Sequence, residues 1–324
     1  MRPNFPNRTL LLHGMAKTFG ASAMKTRDKK AVLKPVLAVL LLVTALFAIA
    51  RTSQSYSEQL PLRQQSKYFD FRFKRHPEKI KAITRFADAF IDIVNRDFFK
   101  AEFDYPIRVL VTEDFATHRT LVSEQFGVTD PTMGIFLYKY NLFATYEDSG
   151  LGTFAHEIMH PLVDRNLKDR PEWAIEGIPT FFEKFYGYWR GDELIVNWGF
   201  QNPWRIKQLG TDLARLDLPG ILATTRAEEQ ESEQRLVSIF LWEQGKFKQF
   251  LDLIKNREKN DYDSYFEAAM GMPIVRVIPL WQDYLARIAA RRSEILRLPL
   301  SAALPDQAAF HRFAASYGIS IASE

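Results

Sequence analysis

The pentapeptide His156-Glu157-Ile158-Met159-His160 constrains this chain more than any other feature, because its two histidines act together only on a helix. Residues four apart on an α-helix point nearly the same way, about 6 Å apart along the axis, so two imidazoles can meet one ion at about 2.0–2.1 Å. Glu157 lies about 100° around from His156, beside that ion, where it can act as a general base. On the same wheel Thr153, His156, Glu157, His160 and Asp164 fall in one narrow wedge. Phe154, Ala155, Ile158, Met159, Leu162 and Val163 fill the remainder. A helix apolar on most sides with one thin polar stripe is buried along a polar cleft; a surface helix with two solvated histidines needs a wider polar face. The spacing predicts this helix from Gly152 to about Asp164.

The sequence has no cysteine. Disulfides, a lipoprotein cysteine and thiolate ligands are therefore excluded, and a zinc site must use His and carboxylates. His156 and His160 are candidate ligands, and a third must come from a neighbouring helix. Asp169-Arg170-Pro171-Glu172 marks a helix start, with an Asp–x–x–Glu capping pattern and an early proline, for a helix running to about Tyr186. It carries Glu176, followed by Gly177, which permits close approach. Glu176 shares its side of the wheel with Glu172 and Glu183, so the residues alone leave ligand and solvated readings open. Asp164 and Glu183 are candidates for orienting a ligand histidine, with a solvated role open for each.

The surroundings read as α/β before the motif and helical after it. A helical pattern covers 77–99, Ile107–Thr112 is a β-branched run, 113–126 returns to helix, and Gly134–Tyr138 and Leu142–Tyr146 are short strands around a turn. Residues 187–205 are turn-rich and aromatic, and helical patterns follow near 204–215, 230–244, 246–256, 262–269 and 274–291. The expected fold class is α+β, in two lobes flanking a cleft: a catalytic lobe over 77–190 and a helical lobe over 191–300. Residues 301–324 form a tail that serves packing.

Charge separates one end from the rest. The formal charge is +4, yet residues 1–34 carry eight basic residues against Asp28 alone, a net +7 that leaves the body at −3 and gives no reason to expect a nucleic-acid partner. That basic segment, expected on the cytoplasmic side, runs into 35–50 (PVLAVLLLVTALFAIA), sixteen uncharged residues ended by Arg51. The length lies between a signal peptide's apolar core and a spanning helix, and Ala48-Ile49-Ala50 has the small-x-small pattern of a cleavage site. Either reading associates the N-terminus with a membrane and puts residues after 51 outside the cytoplasm. Met24-Lys25-Thr26-Arg27 would give a compact basic start, which points to Met24 as the initiator. Residues 51–76 read as a tether.

HExxH followed by Trp173-x-x-Glu176-Gly177-x-x-x-x-Phe182-Glu183 resembles the gluzincins, and most closely the peptidase-MA-like proteins of bacteria. The likeness spans roughly residues 100–290 and includes Gln234–Gly245 (QRLVSIFLWEQG) and a later Gly-containing helix over Ala268–Leu280. It implies a zincin-like α/β lobe, Glu176 as third zinc ligand and metal-assisted hydrolysis of a peptide or protein substrate, with Glu157 as base. The gap from His160 to Glu176 is shorter than in the best-known gluzincins, and Pro161 and Pro179 fall inside expected helices. No tyrosine starts the helix at 231–245, so the oxyanion-stabilising group is unassigned, with Tyr186, Tyr188, Tyr262 and Tyr265 as candidates. The strand Leu142–Tyr146 is the expected edge for an extended substrate. Met133–Tyr146 lacks the G-x-M-E-N motif by which aminopeptidases of the superfamily hold a free amine, which points to endopeptidase action. The alternative is a membrane-anchored zinc-binding interaction module without significant turnover.

Overall fold

A computed structural model describes residues 56–100, 106–167, 170–224, 230–256 and 262–319, without side chains at 256, 262 and 263. The basic segment, Met24, the apolar run 35–50, the start of the expected tether at 51–55 and Asp169 lie outside the described residues. Among the described residues no helix is long and apolar enough to cross a membrane.

Strands β1 (Leu62–Gln65), β2 (Phe69–Phe73), β3 (Ile107–Thr112), β4 (Gly134–Leu137) and β5 (Leu142–Tyr146) form one mixed sheet in the order β1-β2-β3-β5-β4. β2, β3 and β5 are parallel, and the outer strands β1 and β4 are antiparallel to their neighbours. The register aligns Phe71, Val109, Phe143 and Phe136 in one row across the sheet. Side chains alternate faces along a strand, so this row is a single apolar stripe. On it sits helix α3 (Leu151–Asn166), through Phe154, whose ring is stacked on Phe71 at 6.0 Å and meets Phe143 edge-on at 5.0 Å. Helix α1 (Pro77–Val94) also joins this core, while α2 (Phe115–Phe126) covers the opposite face through Leu121 and Val122 against Leu110, Leu142 and Ala144.

One expectation is corrected here. The span read as a tether contains β1 and β2, and β2 is built into the core: Phe69, Phe71 and Phe73 are buried, with Asp70 and Arg72 between them on the other face. The polar stretch before it obscured this period-2 pattern. One apolar cluster extends from Phe71 and Phe143 through Phe181 to Phe240, Trp281 and Tyr284. Contacts group the described residues as one unit.

Helix α4 (Glu172–Phe182) begins where expected, with Pro171 itself at the cap position, but ends earlier because Tyr186–Arg190 forms strand β6. The segment read as turn-rich is the hairpin of β6 with β7 (Glu193–Asn197). The tail adds β8 (Ala302–Leu304) parallel to β6, and a helix over Gln307–Tyr317 whose Phe310 and Ala314 pack on Tyr186 and Tyr188. Between them lie α5 (Pro203–Gln208), α6 (Leu218–Leu222), α7 (Glu231–Glu243), α8 (Phe247–Asn256), α9 (Tyr262–Met270) and α10 (Ile274–Ala290), the last four close to the sequence patterns. α7 packs along α4 at Gly177, where a Cβ would lie 3.2 Å from the Gln234 carbonyl oxygen and 3.1 Å from the Trp173 ring. A glycine lets these two helices touch backbone to backbone, as its sequence position suggested.

Candidate metal centre

Helix α3 is buried on the faces its wheel marks as apolar: Phe154, Ala155, Ile158, Met159, Leu162 and Val163 are all inaccessible or nearly so. His156, Glu157 and His160 are 7%, 7% and 5% exposed, and Glu176, brought in by α4, is 8% exposed. Both helices run through their internal prolines, Pro161 and Pro179, neither of which is at a ligand position.

The two imidazole Nε2 atoms of His156 and His160 are 3.2 Å apart. Glu176 Oε2 completes a triangle, 3.3 Å from His156 Nε2 and 3.7 Å from His160 Nε2. Zinc bonds of 2.0–2.1 Å at tetrahedral angles place ligand atoms about 3.3 Å apart, so the three atoms are spaced as one ion's ligands are. The arrangement suits an ion with a mixed N/O shell and one coordination position left open. Glu157 Oε2 lies 3.9 Å from His160 Nε2, at the margin of the triangle.

Behind the triangle each histidine has a different partner. His156 Nδ1 is 3.4 Å from Glu183 Oε2, an electrostatic contact slightly longer than a well-formed hydrogen bond. Glu183 is buried and heavily supported, accepting from Asn202 Nδ2 at 2.7 Å and from Arg205 Nε and Nη2 at 3.0 and 2.9 Å, with Arg235 Nη1 at 3.6 Å. Arg205 also pairs with Glu231 at the start of α7. His160 Nδ1 is 3.0 Å from the Tyr138 hydroxyl. Of the two candidate orienting carboxylates, Glu183 is therefore at the site, whereas Asp164 is 46% exposed and paired with Arg170 at 2.8 Å.

The burial and the charges set the protonation preferences. Burial works to lower His156, but its contacts with Glu176 and Glu183 outweigh it and hold the imidazole well above its ordinary value. His160 is pushed down to about 4, chiefly by burial and further by the positive His156 beside it. Burial opposes ionisation of Glu183, yet Arg205, His156 and Arg235 draw it well below the usual carboxylate range; Glu176 is lowered too, against burial, by His160 and His156. Glu157 is pushed up to about 7, first by burial and then by Glu176 and Glu231.

The suggested oxyanion candidates with a described side chain have partners away from the triangle. Tyr186 donates to the Pro299 carbonyl at 2.9 Å, Tyr188 packs on Phe310, and Tyr265 is in the main core. The side chain of Tyr262 lies outside the described residues. Sequence reasoning missed Tyr138, Arg205 and Arg235; Tyr138 carries only the weak signal of following the strand Gly134–Leu137, at the turn that leads into β5.

No family model and no curated protein matches the chain.

The expected substrate edge also needs correction. β5 is interior, paired on both sides by β3 and β4, because the antiparallel hairpin adds β4 outside it. Among the described residues β4 is the edge strand on this side of the sheet, as β1 is on the other, and β4 lies against the motif helix at Gly134, where a Cβ would come within 2.9 Å of Glu157 Cγ and 2.7 Å of Thr153 Cγ2.

Proposed function

We propose that this chain is a zinc-dependent peptidase of the gluzincin type, acting as an endopeptidase outside the cytoplasm. The observation that carries the proposal is the convergence of His156, His160 and Glu176 to mutual distances of 3.2–3.7 Å, with Glu157 beside them. Two nitrogens and one carboxylate oxygen on two packed helices make the donor set of a catalytic rather than a purely structural zinc site. The mixed sheet, the motif helix beneath it and the antiparallel edge strand beside the motif agree with the zincin-like lobe that the resemblance implies.

Zinc, when bound, supplies a Lewis acid that lowers the pKa of water from 15.7 toward about 7 and polarises a carbonyl. The residues of the chain do the rest. Glu157 takes the proton of the attacking water and returns it to the leaving amine as the C–N bond breaks. Glu183 holds His156 and is itself fixed by Arg205, Asn202 and Arg235. The open side of β4 offers main-chain donors and acceptors to an extended substrate, next to Glu157. Retention of a buried Glu157 favours this reading over an interaction module without turnover.

Hydrolysis of an unfolded protein by the purified chain, abolished by a chelator and restored by zinc, is the expected result; zinc binding with no hydrolysis would support the module instead. Blocked internal peptides should be cut faster than free-amino dipeptides, and the reverse preference would overturn endopeptidase action. A reporter fused after residue 60 should be active only outside the cytoplasm.

A further inference from the structure

The hydroxyl of Tyr138 lies 3.0 Å from His160 Nδ1, and the geometry decides which role is open to it. Nδ1 is on the opposite side of the imidazole from Nε2, the atom that joins the triangle with His156 and Glu176. A group that stabilises an oxyanion must lie about 3 Å from the oxygen on which charge develops, which is on the Nε2 side. A hydroxyl at Nδ1 faces the back of the ring. It can fix the tautomer and the ring plane, and it cannot reach the reacting atoms.

The tyrosine is itself held in place. It begins the short turn Tyr138–Tyr140 between β4 and β5, closed by the Asn141 amide on the Tyr138 carbonyl at 3.1 Å. Arg108 donates to the Tyr140 carbonyl, and the Asn141 side chain donates to the Pro106 carbonyl at 3.2 Å. The phenol ring meets Phe136 edge-on at 5.1 Å and His160 edge-on at 5.8 Å. The turn is anchored to the start of β3, the ring is wedged between two aromatic neighbours, and the hydroxyl is therefore delivered to one place. Although the residue is 47% exposed, its polar atom points inward to a ligand histidine.

We infer that Tyr138 is a positioning residue for the metal site: it accepts the Nδ1–H of His160 and so presents the lone pair of Nε2 to the ion. The inference rests on the metal-site reading above and extends it by giving the second histidine an uncharged partner where the first has a carboxylate. Loss of an outer partner of this kind lowers metal affinity about 10–100-fold. The phenol of Tyr138 acts through His160.

The test compares the purified full chain with Tyr138→Phe, which keeps the ring and removes only the hydroxyl, and with Tyr140→Phe as a neighbouring control. Cobalt(II) serves as probe, with affinity measured by competition against a chromophoric chelator and ligand geometry read from the visible d–d spectrum. The expected result is one equivalent bound by the wild type and by Tyr140→Phe with the same spectrum. Tyr138→Phe should bind about 10–100-fold more weakly, with an altered spectrum and an unchanged melting temperature of the metal-free chain. Equal affinity and an identical spectrum in Tyr138→Phe would overturn the inference while leaving the metal site intact. A wild type that binds no cobalt would overturn the metal site, and this inference with it.

Discussion

Replacing Gly134 by Ala tests whether the edge strand and the general base are placed by direct contact. The added Cβ would lie 2.7 Å from Thr153 Cγ2, 2.9 Å from Glu157 Cγ and 3.2 Å from Phe143 Cε2. Carbon atoms rest about 3.5–4.0 Å apart, so the Glu157 and Thr153 contacts each require a displacement of roughly 0.6 Å or more. Thr153 is β-branched and stiff at χ1, its hydroxyl donating to the Ser149 carbonyl at 2.9 Å, and Phe143 is fixed in the aromatic row. Glu157 and strand β4 must therefore move. Overpacking of this kind costs about 1–3 kcal/mol, and a misplacement near 1 Å costs about 10²-fold in rate. The expected variant melts a few degrees lower, holds a full equivalent of zinc because none of the three ligands is touched, and hydrolyses a blocked fluorogenic peptide about 100-fold more slowly. Adding Thr153→Ser, which removes the Cγ2 clash alone, should restore stability more than activity. Wild-type kcat in Gly134→Ala would refute the idea that β4 contacts and positions the base.

Other consequences follow from the charges. Glu183→Gln leaves Arg205 and Arg235 buried without their carboxylate and weakens the hold on His156; breaking a buried pair costs about 3–5 kcal/mol, and losing the outer partner costs about 10–100-fold in metal affinity. Urea unfolding and chelator competition measure the two effects, and stability within about 1 kcal/mol of wild type would refute the network. His156 is held above its ordinary value, so it carries a proton at neutral pH that metal must displace. Zinc binding should release about one proton, and affinity should fall about tenfold per pH unit as pH drops, seen by calorimetry in buffers of different ionisation enthalpy. Glu157 is pushed up to about 7 by burial, and a cation at the triangle lowers it, so kcat/KM should rise with pH along an acidic limb below 7; a rate independent of pH from 5 to 7 would contradict a carboxylate base.

The elements whose own side chains declare their period were legible in the sequence. The β-branched run at Ile107–Thr112 is β3 with the same bounds, and the polar stripe on the HExxH helix is the stripe that meets Glu176. Phe69, Phe71 and Phe73 carried the same kind of signal, but the polar residues before them and the nearby apolar segment made a tether the simpler reading. Strand order is a different matter, because nothing local in Leu142–Tyr146 says that the preceding strand will pair outside it. The partners of the ligand histidines were only partly readable. Glu183 is close to Glu176 in sequence and could be named as a candidate, whereas Arg205 and Arg235 reach it from helices whose relative placement depends on the whole core. Tyr138 depends on the shape of one turn.

The central claim is that Glu176 is a metal ligand and Glu157 is the base, and bound zinc in two purified variants tests it most directly. Glu157→Gln keeps His156, His160 and Glu176, so it should retain about one equivalent while hydrolysis falls about 10²–10⁴-fold. Glu176→Ala leaves two imidazoles and should lose affinity, with activity returning in part as zinc is added. Full zinc occupancy in Glu176→Ala at limiting metal would contradict the account, because the third ligand would then lie elsewhere.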